Sequence, residues 1–352
     1  MQNPEPGLRT HDKARATPGY TLFSAIRSDR AFLIDMEGRP VHEWTLQGLG
    51  GVNLCQLTGD GNLFVTQATL DGPPLMAGKG GLLREYDWDG NIVWEHYDEN
   101  HHHDARRLEN GNTLYIAWDL LDDATAKRVR GGLPGTEVDG RIYGDLVREI
   151  DPLGKTVWEW RIRDVEIEKY PICGICDRAE FGHANTCAPL DDGNVMLSFR
   201  VLNLICIVDR EFGLIVWEMC DPVLGHQHDC QILENGNVLV FANGFHGRTD
   251  DMFSHIFEID PQTKEIVWRY DAKPPQSFYS ANISGVQRLW SGNTFICEGA
   301  RGCLFEVTPD GDVVWEYLSP HTAYSRIFGT ELNWIFRARR YAPDAPELKG
   351  RM

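Results

Sequence analysis

The chain has 352 residues, of which 42% are hydrophobic and 11% aromatic, the composition of a globular protein with a sizeable core. Asp and Glu number 52 against 34 Lys and Arg, giving a formal net charge of −18. Because nucleic acids and anionic membrane surfaces attract clustered cations, this balance disfavours both as partners. No run approaches the roughly 20 consecutive apolar residues of a membrane-spanning helix.

The two ends of the chain look different from the rest. Residues 1–17 are polar and lack the apolar stretch of a secretory signal, so we interpret them as an N-terminal tail and expect a cytoplasmic protein. Residues 346–352 are interpreted as a C-terminal tail. The nine cysteines mostly lie in apolar runs, where reduced thiols pack as small hydrophobic side chains.

One sequence unit recurs six times along the chain. It reads Asp, a turn, β-forming residues and then Trp, and the copies end at Trp44, Trp94, Trp158, Trp217, Trp268 and Trp315. Each copy is typical of a hairpin of two strands joined by a tight turn. The first part of the sequence pattern therefore predicts six hairpins.

A second unit alternates with the first and reads Leu, turn residues, Gly-Asn and a β-rich run. Its five copies begin at Leu57, Leu108, Leu190, Leu233 and Leu289. Two hairpins in each period of roughly 47 to 64 residues give four antiparallel strands, which is typical of a β-propeller blade. The repeats thus predict an all-β, six-bladed propeller with four-stranded blades.

The ends of the repeat region supply the hairpin that the second unit lacks. The β-rich runs at residues 20–25 and 333–341 have no other partner, so we expect the N- and C-terminal strands to pair, complete one blade and close the ring. Closure removes exposed sheet edges. The whole of residues 18–345 is then one domain, with insertions near 119–144 and 161–181 as loops on a face of the ring.

A set of polar residues falls at one level of the innermost strands. Aligned on the Leu before Gly-Asn, four consecutive blades carry His101 and His103, His183 and Asn185, His226 and His228, and Asn282 and Ser284. Residues two apart share one face of a strand, so these columns are expected to converge on the central channel. Imidazoles near neutral pKa act as acids, bases, nucleophiles or metal ligands.

With Arg200 after the strand that follows His183, and with the closing run at 336–344, these repeats resemble the arylsulfotransferase (aryl-sulfate sulfotransferase) propeller family over residues 18–345. The resemblance implies sulfuryl transfer between phenolic compounds through a sulfated histidine, without a cofactor. Carried over by position, the nucleophile is His228. The residues expected to bind the sulfuryl oxygens are His103, His183, Asn185 and Arg200.

Further contacts with a small aromatic or sulfated substrate are expected around this centre. The candidates are His226, Asn282, Ser284, Tyr279 and Tyr324. His226 suits proton transfer to the departing phenolate. Tyr279 and Tyr324 suit stacking on a phenolic ring. Packing between blades is an equally good interpretation of these side chains.

Two other functions fit the same residues. Five imidazoles, His101, His103, His183, His226 and His228, suit a divalent transition metal in a lyase, hydrolase or oxygenase. A non-catalytic binding platform with a merely polar channel is the other alternative. Cys173 and Cys176 form a C-x-x-C, but a zinc ribbon needs a second pair that the sequence lacks, so we interpret them as two thiols in a loop.

Overall fold

The computed structural model describes residues 5–73, 77–244, 252–325 and 328–352. These residues form six antiparallel sheets of four or five strands, each built from consecutive hairpins, together with two small two-stranded sheets. Neighbouring sheets contact each other at their innermost strands, for example His101–Arg107 with Ala184–Pro189 and Ala184–Pro189 with His228–Ile232. The predicted all-β, six-bladed propeller is confirmed.

Each blade runs outwards from its innermost strand. Blade 1 contains Arg339–Tyr341, Tyr20–Phe23, Arg30–Ile34 and Pro40–Thr45; blade 2 contains Leu49–Leu57, Leu63–Ala68, Gly81–Tyr86 and Ile92–Tyr97. Blade 3 contains His101–Arg107, Thr113–Leu120, Tyr143–Ile150 and Thr156–Arg161; blade 4 contains Ala184–Pro189, Val195–Phe199, Leu204–Val208 and Ile215–Cys220. Blade 5 contains His228–Ile232, Val238–Ala242, His255–Ile259 and Ile266–Tyr270; blade 6 contains Gly285–Arg288, Thr294–Glu298, Cys303–Val307, Val313–Leu318 and Gly7–His11.

Helical structure is short. The α-helix is Asp123–Ala126, and the 3-10 turns are Ile162–Asp164, Ile167–Lys169, Arg200–Leu202, Pro222–Leu224, Pro275–Ser277, Gly299–Arg301 and Pro346–Leu348. Within the described part of the chain, no helix has the length and apolarity needed to cross a lipid bilayer.

The predicted pairing of the N- and C-terminal strands is observed in blade 1. Tyr20 lies opposite Tyr341 in an antiparallel register. On its other side the C-terminal strand meets blade 6, where the Gln287 amide donates to the carbonyl oxygen of Arg340 and accepts from its N–H, both at 2.9 Å. The C-terminal strand Arg339–Tyr341 therefore lies between Tyr20–Phe23 of its own blade and the innermost strand of blade 6.

The segments interpreted as tails belong to the propeller, which corrects that interpretation. Gly7–His11 pairs antiparallel with Val313–Leu318 as a fifth strand, because the otherwise open edge of blade 6 offers it unpaired backbone groups. Residues 1–4 lie outside the described part of the chain. At the other end, Leu348 is buried in the core between blades 1 and 2.

The two predicted insertions are present and pack against each other. Gly131–Leu133 from the first pairs in parallel with Ile172–Asp177 from the second. Val129, Ile167 and Tyr170 bury their side chains in the core between blades 3 and 4. The insertions are therefore more ordered than the expected loops, since both have an apolar face to bury.

Candidate functional site

The innermost strands share a kink at the level of the predicted histidine columns. Residues in the left-handed backbone region there are Asn53, His103, His183, His226, Asp229, Ile283 and Ser284, with φ from 51° to 90°. Strand pairing shifts register near this level in blades 2 to 5. Side chains two apart therefore no longer share one face, and the predicted columns separate.

His101 shows the consequence of this kink. Its Nδ1 accepts a hydrogen bond from the Gly81 N–H at 3.2 Å, and its ring lies 5.9 Å from that of Tyr115. Burial lowers the pKa of His101 to about 3, so the ring is neutral. The interface between blades 2 and 3 holds this side chain, which corrects the expectation that it shares a centre with His103.

Three of the predicted histidines do come together, and we call His103, His183 and His228 with Arg200 the imidazole cluster. The rings of His103 and His183 lie 4.6 Å apart, and Phe336 packs 6.0 Å from His103 and 6.4 Å from His228. All three rings are buried. Burial, reinforced by the neighbouring positive charges, lowers the pKa of both His103 and His228 well below the usual value.

Arg200 reaches this cluster from the turn that follows the second strand of blade 4. Its backbone N–H donates to the carbonyl oxygen of His183 at 3.1 Å, which fixes the turn beside the cluster. Burial lowers the pKa of Arg200, but a guanidinium stays charged in proteins at neutral pH. The cluster thus joins three imidazoles to one guanidinium cation.

The tautomer of His228 is fixed by Asn243. The Asn243 amide donates through Nδ2 to the carbonyl oxygens of Ser280 at 2.8 Å and Ile283 at 3.0 Å. Its Oδ1 therefore faces His228 Nδ1 at 2.8 Å and accepts a hydrogen bond from the Nδ1–H. The remaining ring nitrogen, Nε2, carries the lone pair.

Glu180 orients His183. Its Oε2 lies 2.7 Å from His183 Nδ1, while Oε1 accepts from the indole N–H of Trp118 at 2.7 Å. Burial opposes ionisation of this carboxyl, but the charge and hydrogen bond of His183 outweigh it and lower the pKa of Glu180 to about 2. A permanent carboxylate at Nδ1 equips His183 to hold a proton on Nε2.

His103 contacts a second histidine outside the cluster, His102. Its Nδ1 lies 2.8 Å from His102 Nδ1, and His102 Nε2 lies 3.2 Å from Asp145 Oδ1. The His102 ring also stacks on Trp118 with centroids 4.6 Å apart. Asp145 therefore lies beside His102, and His102 in turn contacts His103 at the edge of the imidazole cluster.

The predicted polar partners are mostly engaged in the protein itself. Asn185 donates through Nδ2 to the carbonyl oxygen of Gln227 at 2.8 Å, which joins the innermost strands of blades 4 and 5. Ser284 Oγ accepts from the Gly299 N–H at 2.9 Å. The Asn282 carbonyl accepts from the Ser280 hydroxyl at 2.8 Å. Substrate contacts by Asn185, Asn282 and Ser284 stay predictions.

The two predicted tyrosines occupy different surroundings. Tyr279 is half-buried, and its N–H donates to Glu298 Oε1 at 2.9 Å. Tyr324 is 56% exposed on the hairpin formed by Ala323–Ser325 and Thr330–Leu332. Their stacking on a phenolic ring also stays a prediction.

A buried ion network lies next to the cluster. Arg337 Nε lies 2.9 Å from Asp229 Oδ1, and its Nη1 lies 3.3 Å from Asp104 Oδ2, with all three side chains buried. The C-terminal ends of the innermost strands beyond it line a cavity of about 320 Å³ that includes Arg106 and Gln231. Asp104 and Asp229 therefore tie blades together rather than react.

His226 is turned away from the imidazole cluster towards the second insertion. Its Nε2 lies 3.5 Å from Cys176 Sγ. Within the described ranges, Cys173, Cys176 and His226 are the one set of three His, Cys, Asp or Glu whose ligand atoms all lie within 4.8 Å of one another. The five-imidazole metal site expected from the sequence is not formed, because the strand kinks separate its members.

Several residues of the site were missed by sequence reasoning. Glu180 stands three residues before His183, a spacing that was visible but had no motif to mark it. Asn243 directly follows the second strand of blade 5, as Arg200 follows the second strand of blade 4. Aligning the ends of the second strands would therefore have found Asn243 from the predicted Arg200. Asp145 lies on the third strand of blade 3 and carries no such signal.

Comparison with solved structures shows the fold alone. A protein of unknown function from Bacteroides caccae is 14% identical over 92% of this chain and 99% of its own, with a TM-score of 0.58. A streptogramin B lyase is 11% identical over 97% and 96%, with a TM-score of 0.53. The Cps50 (Swd1) β-propeller domain of Myceliophteria thermophila is 11% identical over 91% and 88%, with a TM-score of 0.50.

Sequence comparison is more specific. No curated protein matches the chain significantly. The profile of the arylsulfotransferase (ASST) family, however, matches residues 76–319, a range that contains the imidazole cluster. This match agrees with the resemblance drawn from the repeats and indicates a transferase. The chain belongs to the arylsulfotransferase (ASST) family.

Proposed function

We propose that the protein transfers a sulfuryl group from an aryl sulfate to a phenol, with His228 as the nucleophile. The observation that carries the proposal is the hydrogen bond from His228 Nδ1 to the fixed Asn243 amide. It leaves the lone pair on Nε2, in a buried cluster with one guanidinium and two further imidazoles. No cofactor is required for such a transfer.

In the first half-reaction, His228 Nε2 attacks the sulfur of the aryl sulfate. The N–S bond forms as the S–O bond to the aryl group breaks, and the departing phenolate takes a proton from His183 Nε2. Glu180 stabilises the protonated form of His183 through its 2.7 Å contact to Nδ1. We assign the proton transfer to His183 in place of His226, which lies against Cys176.

In the second half-reaction, the oxygen of an acceptor phenol attacks the same sulfur. The N–S bond of the sulfated histidine breaks, and His183 Nε2 takes up the phenolic proton. In the net reaction, the donor aryl sulfate becomes a phenol and the acceptor phenol becomes an aryl sulfate. Splitting the transfer into two displacements makes each of them easier.

The cluster also suits the charge of the transition state. Sulfuryl transfer resembles phosphoryl transfer in having a loose transition state with charge spread over three oxygens. Arg200 offers a rigid pair of donors for these oxygens, and His103, whose ring contacts His102, offers a ring N–H. Each positioned donor lowers the barrier by roughly 3 kcal/mol.

The experiment is to trap the sulfated enzyme. Incubation with 4-nitrophenyl sulfate, without acceptor, is expected to add the mass of one sulfuryl group to the peptide containing His228, and a phenol added later should remove it. His228→Ala should abolish both the mass gain and the release of 4-nitrophenol. The matched control is His255→Ala, which changes a half-buried histidine of the same blade that is paired with Asp271.

Two outcomes would overturn the proposal. One is transfer in His228→Ala at the rate of the wild-type protein. The other is a wild-type protein that binds aryl sulfates without turnover, which would establish the binding platform instead.

A further inference from the structure

The C-x-x-C of the second insertion meets a histidine from the propeller. Cys173 and Cys176 lie on the inserted strand Ile172–Asp177, and His226 lies just before the innermost strand of blade 5. Their Sγ, Sγ and imidazole nitrogen atoms all lie within 4.8 Å of one another. Cys176 and His226 are buried, and Cys173 is half-buried. Three soft or borderline ligands from two distant segments therefore share one small volume.

The spacing of these atoms suits a tetrahedral metal ion. With Zn–S of about 2.3 Å and Zn–N of about 2.0–2.1 Å, tetrahedral geometry sets a sulfur-to-nitrogen distance of about 3.5 Å. Cys176 Sγ and His226 Nε2 are 3.5 Å apart. Two thiolates and one imidazole are also the donor types that zinc prefers over the oxygen ligands of magnesium or calcium.

The surroundings hold these ligands in place. The backbone N–H of His226 donates to Asn203 Oδ1 at 2.8 Å, which fixes the left-handed backbone at this histidine. The Arg200 guanidinium donates to Cys176 Sγ from the side of the imidazole cluster. Hydrogen bonds of this kind to the ligands orient them and tune the metal.

We propose that Cys173, Cys176 and His226 bind one zinc ion that fastens the second insertion to blade 5 beside the imidazole cluster. Three protein ligands leave the fourth position to water. This site uses none of the imidazoles assigned to sulfuryl transfer, so the proposal does not depend on that activity and is tested by metal binding alone.

The test begins with protein purified under reducing conditions without a histidine tag. We expect about one equivalent of zinc by elemental analysis, in line with one set of three ligands. Cys173→Ser and Cys176→Ser should each lose it, while Cys220→Ser, which changes an exposed thiol outside the site, should keep it. Adding Co²⁺ to chelator-treated wild-type protein should give thiolate charge-transfer and visible d–d bands of a tetrahedral site, absent in Cys176→Ser.

A second measurement covers variants that fold poorly. Removing zinc from the wild-type protein should speed proteolysis within residues 161–181, and adding zinc back should restore protection. The proposal is overturned if the double variant Cys173→Ser/Cys176→Ser retains the metal, if the wild-type protein binds neither Zn²⁺ nor Co²⁺, or if the two thiols form a disulfide that persists under reducing purification. Loss of sulfuryl transfer in His228→Ala has no bearing on any of these readouts.

Discussion

Trp315 donates its indole N–H to the backbone carbonyl of Met36 at 2.8 Å and so links blade 6 to blade 1. The same bond connects each of the remaining pairs of consecutive blades: Trp44 to Asp87, Trp94 to Pro152, Trp158 to Arg210, Trp217 to Pro261, and Trp268 to Pro309. The acceptor always lies at the Asp-turn of the next blade. The repeat therefore contains both halves of the contact that joins each blade to the next.

Trp315→Phe is expected to lower the free energy of unfolding by roughly 0.5–1.5 kcal/mol, because an aromatic ring remains but the partly buried carbonyl of Met36 loses its donor. Urea unfolding measures the change. Trp290→Phe is the control, since Trp290 is 52% exposed and is not one of the six Trp residues that end the Asp-turn-Trp units. Equal unfolding midpoints for the two variants would show that the indole bond contributes nothing.

The repeat explains why the fold could be predicted from the sequence. Each hairpin is specified locally by its turn and its Trp, and six copies leave few arrangements besides a propeller. The pairing of the chain ends followed from two β-rich runs without partners, and Tyr20 does pair with Tyr341. The strand Gly7–His11 was missed because an edge strand exposed on one side has no marked apolar pattern.

The site could be predicted only in part, for a physical reason. Register placed His103, His183 and His228 at one level, and they meet. The alternation rule failed for His101, because a left-handed residue such as His103, with φ of 54°, breaks the regular alternation of side chains between the two faces of the strand. The contact of His226 with Cys176 depends on how an insertion packs, and no local pattern encodes it.

Asn243→Leu is expected to reduce kcat by roughly 10²- to 10⁴-fold, as loss of the correct histidine tautomer does in other nucleophile systems. Leu cannot accept a hydrogen bond from the Nδ1–H of His228, so the ring can adopt either neutral tautomer. Nitrogen-15 NMR of labelled histidines should show one tautomer in the wild-type protein and a mixture in the variant. An unchanged tautomer with reduced activity would assign Asn243 a merely structural role.

Glu180→Gln tests the proton donor. Without the carboxylate at Nδ1, His183 holds its proton less well, so aryl sulfates of weakly acidic phenols should react on the order of 10²-fold more slowly. Sulfates of strongly acidic phenols, whose phenolates leave without a proton, should be affected little. The measurement is kcat across a series of leaving groups. A uniform decrease across the series would contradict the assignment.

Arg337→Met is expected to destabilise the protein by roughly 3–5 kcal/mol, because Asp104 and Asp229 lose a cation that is buried with them. Arg9→Met removes the more exposed pair with Glu316 and should change stability by about 1 kcal/mol or less. Urea unfolding of both variants gives the comparison. If the two variants unfold at the same urea concentration, the buried network does not hold the blades together.

Glu298→Gln tests the pH dependence of stability. Burial raises the pKa of Glu298 from 4.5 to about 7, against the weaker opposing effect of Arg301. The folded state therefore binds more protons than the unfolded state between these values, and the contribution of Glu298 is full below pH 4.5 and lost as the pH rises to 7. A shift of this size is worth at most roughly 3 kcal/mol.

Because Gln mimics the protonated carboxyl, the stability of the Glu298→Gln variant relative to the wild-type protein should increase as the pH rises across this range. Thermal unfolding at a series of pH values measures the difference, and parallel curves for the two proteins would rule out Glu298 as the titrating group.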